Sequence, residues 1–277
     1  MLPIVQHNES FKYLGRYSNY AMDNSDHKHE LLSETERLLE KIDLLPLHPR
    51  FKLELYGKYL LPKIPSHLTI ADINITWAKQ ALDMICHNKF RSWLEIPTNG
   101  TLDILLQAKS KFALNIIDIS TKHTQCRIII RNKFKNSKCC DMRSVHNDTS
   151  KDTNIQYDRY LSAKEALKEI RKDKIGNMVT NVTSQSLVIK AMWEEAFAEN
   201  VKHWQSTISS LQKNIYNFTT RYLNNTLPTL KNMSLWKKTT NSFCSACLNP
   251  QTLQHVVSSC NVHLEQGRFT WRHVTQF

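Results

Sequence analysis

A mainly α-helical fold is predicted for this chain of 277 residues, with a short β element near its start and a compact cysteine-rich element near its end. Three observations predict it. Glycine occurs five times, too rarely for a fold built on tight turns between strands. Apolar residues recur at three- and four-residue spacing behind recognisable cap signals. Strand-like alternation is confined to a few places.

The elements follow in order. Residues 11–20 read as a strand and turn, with Gly15 at the turn. Ser33-x-x-Glu36 is a capping box, and Leu38, Leu39, Ile42 and Leu45 follow at helical spacing. Pro46 and Pro49 are expected to end that helix. A second helix is read over 50–61, closed near Pro62 and Pro65. Thr69 is the expected N-cap of a third, which carries Ile70, Ile73, Trp77, Ala81 and Ile85. Residues 97–101 form a turn. Residues 125–133, with Ile128-Ile129-Ile130, fit either a strand or a helix. The polar stretch 138–154 is the best candidate boundary. Ser162-x-x-Glu165 opens another helix through Ala166, Leu167 and Ile170, and 183–201 and 214–223 are further helices. No internal repeat is present.

The pattern Cys244-x2-Cys247-x7-His255-x4-Cys260 carries the most chemistry. Three thiols and an imidazole at short spacing suit one tetrahedral Zn2+. Their donor atoms should converge within about 4 Å of one another, because zinc binds sulfur near 2.3 Å. The alternative is four unrelated residues, and with seven cysteines a chance Cys-x2-Cys is easy. His263 is a further candidate ligand. Cys86, Cys126 and the pair Cys139-Cys140 read as free thiols, since an odd, uneven set does not suggest a disulfide framework.

The net charge of +12 favours polyanions, although solubility alone would also explain it. The charge is unevenly placed. Residues 109–143 hold nine Lys or Arg against Asp118 and Asp141, and residues 201–264 hold six with no acid at all. A surface that meets phosphate is depleted in carboxylates because each would repel it. Lys111, Arg127, Arg131, Lys133 and Lys135 are the candidates in the first stretch, and Lys213, Arg221, Lys237 and Lys238 in the second. Trp204, Tyr216, Phe218, Tyr222 and Trp236 lie among the latter. Each ring could stack on an unpaired base or fill a helical core. No apolar run is long enough to cross a membrane, and no Gly-rich phosphate loop, nucleophile elbow or small-molecule site is evident.

The flanks of the cysteine pattern carry a family resemblance. The run from Trp204, W-x-S-x-I-S-S-L-Q-K-N-I-Y-N-F-T-T-R-Y-L-N-N-T-L-P-T-L-K-N, precedes it, and R-F-T-W-R-H follows it. Near the start, Ser10-Phe11-Lys12-Tyr13-Leu14-Gly15-Arg16 resembles the strand-turn piece after a polymerase palm's carboxylates. Arg91-Ser92-Trp93-Leu94-Glu95-Ile96-Pro97 and Lys109-Ser110-Lys111-Phe112-Ala113-Leu114-Asn115-Ile116 look like thumb segments. In this order they resemble the C-terminal part of reverse transcriptases from non-LTR retrotransposons with a restriction-like endonuclease. Ala113 departs from the pattern, which has glycine there, and a positive φ at Ala113 would be strained.

The resemblance implies a palm remnant over 1–25, a thumb-like helical domain over 26–145 and a helical linker over 146–240. It places a zinc knuckle over 241–277, with Arg272 and His273 at the start of an endonuclease. It implies RNA or DNA as the partner and an intracellular, nuclear location. The family's polymerase needs paired aspartates for its two metal ions, and this sequence contains no Asp-Asp. The chain is therefore expected to be a fragment between two catalytic centres that binds nucleic acid without catalysing. The alternative is a degenerate or adapted remnant of such an element acting, if at all, in protein–protein contacts.

Overall fold

The computed structural model describes residues 9–13, 16–19, 23–70, 73–102, 105–107, 113–151, 162–181, 198–260 and 262. Within them the chain is mainly helical, as the capped apolar periodicity predicts. Strands β1 (Phe11–Tyr13) and β2 (Arg16–Ser18) pair antiparallel, with Lys12 opposite Tyr17, and β2 lies against the first helix.

Helix α1 (Ser25–Asp43) begins eight residues before the capping box that was expected to open it. Ser33 and Glu36 are exposed in mid-helix instead. The reason lies in the buried stripe His27, Leu31, Thr35, Leu39 and Ile42, which extends the inward face back by two turns. Thr35 tolerates burial by donating its hydroxyl to Leu31 O at 2.7 Å. Leu45 falls beyond the helix and is exposed. Pro49 opens α2 (Pro49–Leu55) rather than closing α1, since a first helical residue needs no N–H. His48 caps it, Nδ1 accepting from Arg50 N at 3.1 Å.

Helix α2 runs on through a π-turn, Tyr56–Leu60, so the expected helix over 50–61 is present with a widened end. Pro65 lies in the first turn of α3 (Ile64–Ile70), where proline is tolerated. Thr69 is inside α3, and Asn74 takes the capping role, accepting from Thr76 N at 2.8 Å. Helix α4 (Ile75–Ala78), a π-turn (Lys79–Asp83) and α5 (Met84–Leu94) follow without a break. The ambiguous isoleucine run belongs to helix α6 (Ile119–Lys135), where Ile128 is buried and Ile129 exposed.

The polar stretch after it forms α7 (Cys140–Lys151). Helix α8 (Ala163–Asn181) packs on α6 through Ala166 and Ile128, and Ser162 caps it by accepting from Glu165 N at 3.2 Å, as expected. Helices α9 (Ala198–Ser210) and α10 (Lys213–Leu223) complete this part, while 182–197 lie outside the described residues.

One apolar core joins α1 to α6, with Leu39, Leu60, Leu68, Leu82, Phe90, Leu94 and Ile119 all at 0–1% exposure. Tyr56 meets Phe90 edge to face at 4.7 Å and donates its hydroxyl to Ile117 O. Ile208 and Tyr216 pack into the same core, so α9 and α10 share it with the segment before residue 145. Asn217 Nδ2 on α10 also donates to Trp93 O. The strain expected at Ala113 is not there. The left-handed residue is Asn115, φ 58°, and asparagine tolerates that conformation.

A buried polar cluster ties α6 to its neighbours. Asp118 at the start of α6 accepts from His87 Nε2 at 3.1 Å and from the Lys174 ammonium of α8, and Asp83 accepts from Ser120 N at 3.2 Å. Burial alone would raise Asp118, but the His87 hydrogen bond and the Lys174 charge hold it down at about 2. Burial and the neighbouring Asp118 push Asp83 up to about 6. A carboxyl raised in the folded state binds its proton more tightly there, so Asp83 costs stability as pH climbs from about 4 to about 6. Asp118 has the opposite sign, and its contribution is lost as pH falls from about 4 toward 2. Asp83→Asn keeps the acceptor for Ser120 N and removes the repulsion. It should raise unfolding stability by about 1–2 kcal/mol at pH 7.5 and by much less at pH 4.5. Urea titrations at the two pH values check this; an unchanged or lowered midpoint at pH 7.5 would count against it.

Candidate metal centre

The centre is reached from α10 through a short, hydrogen-bonded path. Asn225 takes a left-handed conformation after α10, and Thr226 N bonds Arg221 O at 2.8 Å, closing that helix. Helix α11 (Leu230–Leu235) starts at Thr229, whose side chain accepts from Asn232 N at 3.3 Å. Asn232 is buried and donates to Asn225 O and Leu227 O, fixing the turn between the two helices. Lys237, at φ 57°, ends α11 in the same way.

The next residues fold back on themselves. Phe243 and Pro250 form an antiparallel bridge, Cys244 N bonds Asn249 O at 2.8 Å, and Leu248 N bonds Cys244 O at 2.9 Å. Leu248 is left-handed at φ 58°, which lets the chain turn sharply behind Cys244 and Cys247. Gln251 anchors the loop to α11: its side-chain oxygen accepts from Leu230 N at 2.9 Å and its carbonyl from Lys231 N at 3.3 Å.

His255 and Cys260 come from a π-turn, His255–Ser259, opened by Thr252, whose hydroxyl accepts from His255 N at 3.0 Å. On an α-helix residues five apart point about 140° away from each other. The wider turn, closed by Cys260 N to His255 O at 2.9 Å, brings both ligands to one side.

The four candidate ligands converge. Cys244 Sγ and Cys260 Sγ are 4.0 Å apart, Cys260 Sγ and Cys247 Sγ 3.8 Å, and Cys247 Sγ and His255 Nε2 3.2 Å. All donor atoms lie within 4.8 Å of one another. Two thiolates bound to one ion at the tetrahedral angle would be about 3.8 Å apart, whereas a disulfide needs about 2.05 Å. The spacing therefore fits a shared ion and excludes a disulfide, and none joins these cysteines. Cys244, His255 and Cys260 are buried and Cys247 is half-buried. The His255 ring and the Ala246 amide lower the Cys244 thiol to about 6, so a thiolate forms there readily near neutral pH. These four residues could hold one metal ion. Both His263 and the Arg272-His273 pair lie outside the described residues.

The basic candidates are spread more widely. Lys133 and Lys135 are exposed at the end of α6, and Arg127 and Arg131 are half-buried on the same helix. Lys213, Lys237 and Lys238 are exposed and Arg221 is half-buried. Lys111 lies outside the described residues. Of the aromatic candidates, Tyr216 is core, Trp204 packs against the core and Trp236 is half-buried. Phe218 is 53% exposed, its ring nearly parallel to that of Tyr222. The Asp83, His87, Asp118 and Lys174 cluster was not foreseen, because no local spacing links residues so far apart in sequence.

Among the described residues no helix is long and apolar enough to cross a membrane. No protein-family model and no curated protein matches the chain.

Proposed function

We propose that the chain is a nucleic-acid-binding module of the non-LTR reverse-transcriptase kind, its helices corresponding to thumb and linker and its cysteine loop to a zinc knuckle. The convergence of Cys244, Cys247, His255 and Cys260 directly after acid-free basic helices is the observation that carries this reading. The three thiols and the Nε2 of His255 would hold Zn2+. Three sulfurs and an imidazole match its preference over harder ions, and four protein ligands leave no open position. The ion would therefore be structural, holding the loop closed.

The partner is RNA or DNA, held through phosphate by Lys133, Lys135, Lys213, Lys237 and Lys238, with Arg127, Arg131, Arg221 and Lys111 as further contacts. The chain holds nucleic acid without transferring nucleotides, since the paired aspartates that such chemistry needs do not occur in it. A nuclear location belongs to the same reading.

Salt dependence tests it. If six phosphate contacts form on duplex DNA, the log–log slope of affinity against salt should be about −5. Charge reversal of Lys213, Lys237 and Lys238 together should reduce that slope by about 2.7. Reversal of Glu36 and Glu40 on exposed faces of α1 should not reduce it. A titration at low salt with no association by folded protein would overturn the proposal.

A further inference from the structure

We propose that the outward face of α10 is a stacking platform for the unpaired bases of a single-stranded nucleic acid. This rests on the nucleic-acid reading above and adds a strand preference to it.

The helix is arranged against the usual rule. Its inward face carries Asn217 and Thr220, both at 0–1% exposure, beside Tyr216 and Leu223. Its outward face carries Ile215 at 50% and Phe218 at 53% exposure, with Tyr222 half-exposed one turn further on. At 100° per residue, Phe218, Tyr222 and Ile215 fall within about 60° of one another. A helix that served only to pack would place these apolar residues inward. The Phe218 and Tyr222 rings are 6.5 Å apart at an interplanar angle of 22°, so they present nearly parallel faces. Arg221 lies about 60° from Phe218 around the helix, whereas Lys213 begins the helix on its other side, and residues 201–264 contain no Asp or Glu.

These features select the occupant. Parallel aromatic faces beside a cation take a base on the ring and a phosphate on the charge, and every base offers a π-face. A paired base hides both faces in its stack, so duplex gains nothing from the rings. A second copy of this face is disfavoured, because Arg221 would meet its own equivalent.

The test compares full-length wild type, Phe218→Ala/Tyr222→Ala, Phe218→Trp and Lys213→Glu. The ligands are a labelled 20-nucleotide oligothymidine and a labelled 20-base-pair duplex at equal salt. Stacking is worth about 5- to 150-fold per base. The double alanine variant should therefore bind the single strand at least about tenfold more weakly and the duplex within about twofold of wild type. Phe218→Trp should keep wild-type affinity, and Lys213→Glu should weaken both ligands.

Unchanged single-strand binding by the double variant, or equal losses on both ligands, would overturn the platform while leaving the basic surface intact. Wild-type protein that binds neither ligand would overturn both readings. Concentration-dependent self-association abolished by the double variant, seen by sedimentation, would make the face a protein contact instead. Both substituted side chains are on the solvent side, and thermal melts by circular dichroism check that the variants fold.

Discussion

Replacing Cys247 with serine is expected to release the metal and unfold the loop around it, while the helical core persists. A serine hydroxyl stays protonated near neutral pH and is a poor zinc ligand. Besides its few hydrogen bonds, the loop has little apolar burial to hold it. Leu253 is its buried apolar side chain apart from the cysteines, whereas Phe243, Leu248 and Val256 are exposed. Apparent zinc-binding free energies of about 10–16 kcal/mol in small zinc domains are folding free energy for chains with so little core. Purified wild type should hold about one zinc per chain, and the variant almost none. Limited proteolysis of the variant should cut between residues 238 and 260 first. Far-UV circular dichroism should keep most of its helical signal, because the core around Phe90 and Leu94 shares no side chain with the centre. Stoichiometric zinc in the variant would show that Cys247 is not a ligand.

The second large effect concerns Lys174. Lys174→Met should cost about 2–3 kcal/mol, more than Asp118→Asn. The asymmetry follows from burial. The Asp118 side chain is 4% exposed, so without the ammonium it keeps a buried negative charge that His87 and Thr121 only partly compensate. The Lys174 side chain is 32% exposed and can be hydrated when its partner becomes neutral. Arg171, one turn earlier on α8, also acts on Asp118, which keeps the cost below that of an isolated buried charge. Chemical denaturation at pH 7.5 separates the two variants. Equal destabilisation would refute the asymmetry, and no loss in either variant would mean that α8 is held by apolar contact alone.

Local signals gave the helices their type and some of their ends. Ser162 capped α8 because its cap and first turn lie within one short window. Ser33 and Thr69 carried equally good signals and were overruled by burial. The inward stripe of α1 reaches back to His27, and α3 had already begun at Ile64. The metal ligands were readable because all four lie within seventeen residues and their chemistry is narrow. What sequence spacing could not supply was the π-turn that aligns His255 with Cys260, or the grip of Gln251 on α11. The outward direction of Phe218 was equally hidden. Its helix phase becomes known only once Tyr216 is seen to enter a core built a hundred residues earlier.

The grip of Gln251 has a consequence for timescale. Leu230 N and Lys231 N are bonded to a residue of the cysteine loop, and Asn232 hands the constraint on to the carbonyls of Asn225 and Leu227. Opening the loop therefore deprives the first amides of α11 of their acceptors. At a pH where intrinsic exchange outruns reclosing, their hydrogen–deuterium exchange would then run at the opening rate of a loop whose ligands begin fourteen residues away. The start of α11 would serve as a clock for the ion's departure, readable without touching any thiol.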